Sequence, residues 1–332
     1  MELLADATQA SQFLNYLDHV GINHRALGVG YVDPKIRKST RAARVSVNLA
    51  VDLMEAAAVH TNKPHFALEF VDWLNPRSLG VLSLICDHCS TLDERIQIER
   101  RYLHLANEAL FYDVLHDDEE VTLACDILPL LRARSSQFMI GLMALSLKIS
   151  RIQLGEGWSP VRLDLNVTGS ETQKKTFRKM LRCDVRFGAE RNALVIRRED
   201  YERQVRTPNP DFIRFIEDYF EVLSKNRPRE IETLVAQLIS AELPGGAPNL
   251  VQVASRLAMT GRTLQRKLKE RGTTFGAILG NVRAEIAESL LAQTPRPSLG
   301  HLAYCLGYSE PSAASRFIKG KALSRGVHRA AA

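Results

Sequence analysis

The sequence predicts an α+β N-terminal domain joined to an all-α C-terminal domain with two helix-turn-helix motifs. Three observations support this prediction. Two β-type segments flank an acidic turn in the first half of the chain, every segment after residue 230 has helical spacing, and part of this helical region recurs 49 residues later. A chain of 332 residues is long enough for about two domains.

Net charge is distributed unevenly along the chain. Residues 228–332 contain 14 Lys and Arg and 7 acidic residues, whereas residues 1–227 contain 30 basic and 31 acidic residues. A basic module beside a near-neutral one suggests a domain that binds a polyanion; a solvated basic surface is the alternative. No apolar run is long enough to span a membrane, and five cysteines make no disulfide framework, so a cytoplasmic protein is expected.

Three segments of the N-terminal part have the apolar spacing of helices. The first covers Ala5–Val20 and is followed by a glycine, which favours a helix C-terminus. The second covers Val47–Val59. In the third, Thr91 and Glu94 form a capping box that satisfies free amides at a helix start, and the helix should run to about Leu110.

Strand-type segments follow these helices. Leu110–Leu115 and Val121–Cys125 flank the acidic turn 117–120 and should form a β-hairpin. Strict apolar–polar alternation predicts a half-buried strand at 161–167, and a short strand is expected at 193–196. These strands are too scattered for a simple doubly wound sheet.

The N-terminal domain is assigned to residues 1–224, and most of its remaining segments have helical spacing. Helices are expected at 134–154, after the capping residue Ser170, and at Pro210–Ser224. One side of the last helix carries an aromatic and apolar stripe, which is more typical of a core than of a ligand site: Phe212, Phe215, Ile216, Tyr219 and Phe220.

The C-terminal domain is assigned to residues 230–332. A linker at 225–229 precedes it, because Pro228 disfavours helix in the residue before it. The expected helices are 230–241, 250–258, 260–269, 274–291, 299–305 and 311–318. Residues 253–259 match residues 302–308 at an offset of 49. After one extra residue in the second copy, Leu264, Arg266 and Leu268 match Ala314, Arg316 and Ile318.

Each copy has the layout of a helix-turn-helix, in which the first helix braces the second in the major groove of DNA. The parts are a first motif at about 250–269, a connecting helix at 274–291 and a second motif at about 299–319. Thr260 should cap the second helix of the first copy, with Leu264 and Leu268 facing the core. Arg and Gln can pair bidentately with guanine and adenine edges. The candidate DNA-binding residues are Thr260, Arg262, Thr263, Gln265, Arg266, Glu310, Ser312 and Arg316.

Three runs of the C-terminal domain have apolar, basic and glycine residues at the spacings of a known family. They are Val253–Leu268, Gly272–Leu291 and Leu302–Ala313. Together they resemble the DNA-binding domain of AraC/XylS-type transcription regulators. The resemblance implies a bacterial-type, sequence-specific regulator, such as an activator, that binds double-stranded promoter or operator DNA and has RNA polymerase as a partner. It implies neither a cofactor nor an enzymatic activity.

A second resemblance covers residues 1–220. Gly80–Leu92, the Arg101-Tyr102 pair and Asp184–Phe187 look like the arabinose-binding-type sensory domain that precedes this module in some regulators. The resemblance implies that the N-terminal domain senses a small-molecule effector or mediates homodimerisation. It does not identify the effector.

The chain departs from this family in the second motif. Ala314 stands where members usually have an aromatic residue, and after Arg316 the chain lacks their aromatic-Thr-Gly segment, the following proline and the final Tyr-Arg. Because Ala314 corresponds to Leu264, the second motif should lack several buried methylenes and be looser than the first, unless Phe317 or Leu323 fills the space.

Other functions have fewer residues to support them. Cys86-Asp87-His88-Cys89 could suggest a metal or redox site, but no second Cys pair completes four ligands. A non-specific nucleoid-type DNA-binding protein would explain the charge but not two ordered motifs beside a separate domain. A small-molecule enzyme with a helical accessory domain is the third alternative, although no nucleophile or dinucleotide motif is present.

Overall fold

The structure is a computed structural model. It describes residues 3–30, 32–33, 36, 43–80, 83, 85–127, 135–226, 231–257, 259–291 and 297–329. The chain divides into two compact units, with the described residues up to 226 in the first and those from 231 in the second. No helix in the described part of the chain is both long and apolar enough to cross a membrane.

The first unit is α+β, as the sequence predicts. Short 3₁₀ turns at His24–Leu27, Pro76–Leu79 and Ile85–Asp87 connect its regular elements. In chain order these elements are β1 (Leu4–Asp6), α1 (Ala7–His19), β2 (Arg44–Ser46), α2 (Val47–Thr61), α3 (Phe66–Trp73), α4 (Leu92–Ala106), β3 (Leu110–His116), β4 (Glu120–Ile127), α5 (Ser136–Leu154), β5 (Arg162–Leu165), α6 (Glu171–Leu181), β6 (Val185–Phe187), β7 (Ala193–Arg197), α7 (Arg198–Glu202) and α8 (Pro210–Asn226).

The strands form two sheets. β1 and β2 pair antiparallel, with Ala5 opposite Val45, and the larger sheet has the order β3-β4-β7-β5-β6. All its pairs are antiparallel except β5 with β6. The predicted hairpin is confirmed as β3–β4, and Asp117 closes its turn by accepting hydrogen bonds from the backbone N–H groups of Glu119 and Glu120 at 2.9 and 2.6 Å. The acidic turn is therefore structural.

Helix α4 ends earlier than the sequence predicts. Thr91 caps it by accepting a hydrogen bond from Glu94 N at 3.0 Å, but the Glu94 carboxylate bonds Ser90 N instead of closing the predicted box with Thr91. The helix ends at Ala106, because Asn107 takes an extended backbone and forms a β-bridge with Ala5. The prediction that this helix reaches Leu110 was wrong.

The predicted stripe on α8 divides into two halves. Ile216 and Phe220 are buried in a cluster with Tyr102 of α4, whereas Phe215 and Tyr219 are 64% and 37% exposed. Helix α8 also contains the first two residues of the predicted linker, 225–226, and the rest of that linker lies outside the described residues.

Strand β5 differs from the predicted half-buried strand. It is shorter than 161–167, and Asp164 is buried along with Leu163 and Leu165. The strand lies between β7 and β6, where the ladder covers both of its edges. The predicted cap at Ser170 is confirmed, since Ser170 and Gln173 form a reciprocal capping box at the start of α6.

A buried arginine of α4 joins that helix to α5. The Arg95 side chain is 1% exposed and donates from Nη1 to Glu99 Oε1 at 2.7 Å. Its Nε donates to Gln153 Oε1 and its Nη2 to Ser150 Oγ, both at 2.9 Å. A buried guanidinium is costly unless its donors are satisfied. The pair with Glu99 lies within α4, and the bonds to Gln153 and Ser150 fix how the two helices face each other.

The second unit is all-α, as predicted. A 3₁₀ turn at Leu243–Gly245 follows its first helix, and the last helix runs past the predicted end at residue 318 because no proline interrupts the tail. The helices are α9 (Ile231–Glu242), α10 (Leu250–Arg256), α11 (Gly261–Glu270), α12 (Phe275–Leu291), α13 (Leu299–Cys305) and α14 (Pro311–Arg329). Residues from every one of these helices meet in a single apolar cluster.

A partly buried carboxyl of α2, which lies against the start of α5, makes the stability of the first unit sensitive to pH. Glu55 accepts hydrogen bonds from Gln137 N at 2.5 Å and from Phe138 N at 3.3 Å. Burial raises the pKa of Glu55 from 4.5 to about 7, although the two backbone hydrogen bonds act in the opposite direction. The folded state therefore binds this proton more strongly than the unfolded chain.

We expect Glu55→Gln to remove part of the pH dependence of unfolding. The stability contributed by protonated Glu55 is complete below about pH 4.5 and is lost as the pH rises to about 7, a loss of up to about 3 kcal/mol. Urea unfolding at pH 4.5 and pH 8 should therefore show a smaller decrease for Glu55→Gln than for the wild type. The exposed Glu156→Gln is the control and should keep the wild-type slope. Parallel slopes for all three proteins would contradict the assignment.

Candidate nucleic-acid interface

The two predicted motifs share a backbone hydrogen bond across their turns. Met259 N donates to Ala254 O at 2.9 Å, and the equivalent Tyr308 N donates to Ala303 O at 2.9 Å. The first helix of each motif is capped at the same position. Asn249 accepts from Val251 N and Gln252 N, and Ser298, 49 residues later, accepts from His301 N. The repeat in the sequence is thus a repeat in local structure.

Helix α11 separates apolar and polar side chains sharply. Leu264 and Leu268 are fully buried, as predicted. Arg262, Gln265 and Arg266 are exposed. A short helix with this division packs one side on its own domain and leaves the other available to a partner.

Two of the candidate residues organise the start of α11. Thr260 is the predicted N-cap and accepts a hydrogen bond from Thr263 N at 3.2 Å. The two hydroxyl oxygens lie 2.9 Å apart and share a hydrogen bond. Capping satisfies free amides at the helix start, so these threonines hold the end from which Arg262 projects.

Arg266 has one intramolecular partner on its own helix. Its Nη1 lies 3.3 Å from Glu270 Oε1, and the two side chains are 68% and 59% exposed. An exposed pair at this spacing contributes only about 0.3–0.5 kcal/mol, so Arg266 can exchange Glu270 for another acceptor at little cost. Glu270 is the one acidic residue in α11, whose other charged residues are Arg262, Arg266, Lys267 and Lys269.

The candidates of the second motif lie at the start of α14. Glu310 precedes Pro311, the first residue of the helix, and its carboxylate accepts a hydrogen bond from Ser312 Oγ at 3.2 Å. Arg316 is exposed one turn further along. This end of α14 presents a carboxylate and a hydroxyl, whereas the same end of α11 presents two threonines and an arginine.

Arg283 holds the second motif against the connecting helix, a role the sequence analysis did not assign. From α12 its Nε donates to Leu306 O at 2.9 Å and its Nη2 to Gly307 O at 3.3 Å. Its guanidinium also lies over the Tyr308 ring, 4.0 Å from the centroid. The carbonyls at the end of a helix lack intrahelical donors. Arg283 donates hydrogen bonds to two such carbonyls at the end of α13.

Gly307 makes the closest approach in this unit. Its backbone is left-handed, with φ of +67°, and a Cβ built on it would lie 2.8 Å from Leu243 O and 3.0 Å from Ala247 N. Only glycine fits a position that needs both a positive φ and this contact with backbone. The sequence repeat contains Gly307 but does not show what it touches.

Ala314 is fully buried and belongs to the same apolar cluster as Leu264. Phe317 lies beyond it on α14, and its ring centroid is 6.0 Å from that of Tyr308. Phe317 therefore adds aromatic packing between the turn and the last helix. The greater looseness of the second motif stays a prediction, and the Leu323 side chain lies outside the described residues.

The side chains of the Cys86–Cys89 segment serve the packing of the first unit. Both thiols are buried, and burial raises the pKa of Cys86 to about 11 and that of Cys89 to about 12. Asp87 pairs bidentately with Arg77, and the His88 ring stacks on Phe212. Within the described ranges, no group of three or more His, Cys, Asp or Glu side chains is arranged to hold a metal ion.

Comparison with known proteins gives consistent results for both units. Residues 24–205 match the family described as the arabinose-binding domain of AraC transcription regulator, N-term, and residues 253–322 match a helix-turn-helix domain. The chain is 26% identical over 313 residues to an ornithine utilization regulator of Pseudomonas aeruginosa, covering 93% of this chain and 91% of that protein.

Two further similarities agree with this. The HTH-type transcriptional regulator VirS of Mycobacterium tuberculosis is 27% identical over 274 residues, covering 80% of this chain and 78% of VirS. The crystal structure of the transcriptional regulator CdpR from Pseudomonas aeruginosa has a TM-score of 0.50 at 19% identity, covering 94% of each chain. That last similarity concerns the fold alone.

The close approach at Gly307 generates a testable difference between two glycines. Gly272 also has a positive φ, of +73°, but a Cβ there would meet no atom within 4 Å. Gly272→Ala should cost about 1–2 kcal/mol from the left-handed backbone alone. Gly307→Ala should add about 1–3 kcal/mol of overpacking against Leu243 and Ala247. Urea unfolding of both variants measures the difference, and equal losses would show that the Gly307 contact carries no energy.

Proposed function

From the premise that the chain belongs to the AraC family of transcription regulators with an arabinose-binding-type N-terminal domain, we propose that it is an effector-responsive, sequence-specific DNA-binding protein. The observation that carries the proposal is the repeated helix-turn-helix, whose first copy exposes basic side chains on a capped helix. The second helices, α11 and α14, enter successive major-groove faces about one turn, or ~34 Å, apart.

The roles of the candidate residues follow from their chemistry and exposure. Arg262, Gln265 and Arg266 contact base edges, because their planar donor groups match guanine and adenine. Thr260 and Thr263 hold the start of α11 and lie where phosphate oxygens approach a helix N-terminus.

In the second motif we assign Arg316 to guanine or phosphate. Glu310 accepts from cytosine N4, since a carboxylate repels phosphate but suits that amino group. Ser312, which donates to Glu310, orients its carboxylate.

A non-specific nucleoid-type protein is the main alternative, and the basic charge of the C-terminal unit would serve it equally well. The repeated caps and turns favour specific binding, because they fix side chains that a purely electrostatic contact does not need. We further propose that the N-terminal unit binds a small-molecule effector or forms a homodimer, that the protein acts on promoter DNA through RNA polymerase, and that it works in the cytoplasm, where a bacterial chromosome lies.

We expect Arg266→Ala to weaken binding at one base position. The test uses DNA selected from a random pool by the wild-type protein, and the expected loss is roughly 1–3 kcal/mol on that DNA with little change on random DNA. The control is the exposed Arg214→Ala in the N-terminal unit, which should bind like the wild type. An equal loss on both DNAs would assign Arg266 to a phosphate, and no loss on either would remove it from the interface.

We expect the C-terminal unit to function alone. A fragment of residues 229–332 should fold as helix and bind the selected DNA without effector, because its helices share one apolar cluster. Raising salt from 50 to 200 mM should weaken its binding by about tenfold or more through counterion release. Circular dichroism and fluorescence anisotropy test these points. A disordered fragment would disprove modularity, and salt-independent binding would disprove phosphate contacts.

A further inference from the structure

The N-terminal unit contains a cavity of about 60 Å³ that has no evident role in stabilising the fold. It lies among α1, α2, α3 and α5, with walls that include Phe13, Phe70 and Phe138. Empty space in a protein core costs dispersion energy, because the atoms that line it lack contacts on one side. A regulator with a sensory domain has a use for such a space.

The lining specifies the chemistry of the occupant. Of its 17 residues only Asp6 and Gln9 are polar. The Asp6 carboxylate already caps α1 by accepting from Thr8 N at 2.8 Å. The Gln9 amide makes no hydrogen bond with the residues that the structure describes, so it can serve a ligand. Apolar walls with one convergent polar group are typical of small-molecule sites.

The charges around the cavity exclude an anion. No Lys, Arg or His is in the lining. Lys148, on α5, donates to the carbonyls of Val71, Asp72 and Leu74 at 2.7–2.8 Å, so its ammonium is already committed. A carboxylate or phosphate entering this space would lose its hydration without gaining a counter-charge, and Asp6 would repel it.

We propose that this cavity is the effector site of the protein and that it takes a small neutral apolar molecule with at most one hydrogen-bonding group, placed at Gln9. The assignment rests on the effector response proposed above and names its site and ligand class. Met54 gives the wall room to adapt, because its thioether is flexible and its Cε borders the close approach of α5 at Gly141.

The cavity wall is connected to helix α8, the last element described before the C-terminal unit. Leu79 lines the cavity and ends the 3₁₀ turn that carries Arg77. Arg77 donates two hydrogen bonds of 2.7 Å to Asp87. The next residue, His88, stacks on Phe212 of α8 with 3.6 Å between ring centroids. A ligand that displaces Leu79 therefore acts on the packing of α8 through these contacts.

Benzene is the probe for the site, since apolar cavities bind it. The ring needs more room than the cavity's volume of about 60 Å³, so its binding requires the flexible Met54 side chain to move aside. We expect saturable binding of benzene to the full-length protein by NMR titration, and at least about tenfold weaker binding by Ala50→Leu, whose side chain fills the cavity from α2. Ala56→Leu is the matched control on the same helix, outside the lining, and should bind like the wild type. Benzoate should not bind.

Equal benzene affinity in Ala50→Leu and Ala56→Leu would overturn the site, and benzoate binding as tight as benzene would overturn the ligand class. Should circular dichroism show that Ala50→Leu is unfolded, Leu142→Phe fills the cavity from α5 and decides the same question. Benzene binding is measured without DNA. Loss of specific DNA binding in every protein would therefore refute the proposed function and leave the cavity result standing.

Hydrogen exchange tests the connection to α8. Saturating benzene should change the exchange of amides in 210–226 by at least about threefold in the wild type, and Asp87→Asn should reduce that change by weakening the pairing with Arg77. The connection would be overturned if benzene left the amide exchange of α8 unchanged in the wild type. It would also be overturned if benzene changed that exchange equally in Asp87→Asn and in the wild type.

Discussion

The bonds of Arg283 to the end of α13 set the geometry on which the C-terminal unit depends. In the DNA-binding arrangement proposed above, two recognition helices can address one stretch of DNA only if their separation is fixed, and the connecting helix α12 is the element between them. Arg283 joins that helix to the turn of the second motif by two hydrogen bonds and by stacking on Tyr308. A lysine could not reproduce this arrangement, because an ammonium lacks the planar fork of donors.

Gly307 completes the constraint from the other side of the same turn. Arg283 bonds its carbonyl, while its α-carbon lies against the backbone of Leu243 and Ala247. The turn is thus held between α12 and the segment that follows α9. The first motif has the same hydrogen bond across its turn, with Thr260 capping α11 and two leucines in the shared core.

The N-terminal unit uses its polar contacts differently. Arg95, which pairs with Glu99 within α4, fixes that helix on α5 through its bonds to Gln153 and Ser150, and Lys148 fixes the end of α3 on α5. Helix α5 is therefore held at two places and forms one rigid wall of the cavity. The Leu79 side of the cavity depends instead on a partly exposed Arg77–Asp87 pair. A sensory domain needs such a division, because ligand binding can move only the part that is held less firmly.

By itself the sequence determined most of the helices, the hairpin, the central strands of the large sheet, the two-domain organisation and the two helix-turn-helix motifs, but it missed β1, β2, α3, β6 and α7. Periodicity, caps such as Ser170 and Thr260, and an internal repeat depend on residues a few positions apart, so they are visible without a fold. The tertiary structure alone decided where α4 ends, since Asn107 bridges to Ala5, a hundred positions away. It also decided which half of the α8 stripe is buried, what Arg283 and Gly307 contact, and where the cavity lies. These features arise from close approaches between distant segments, and burial or hydrogen bonding between such segments leaves no periodic pattern in the chain.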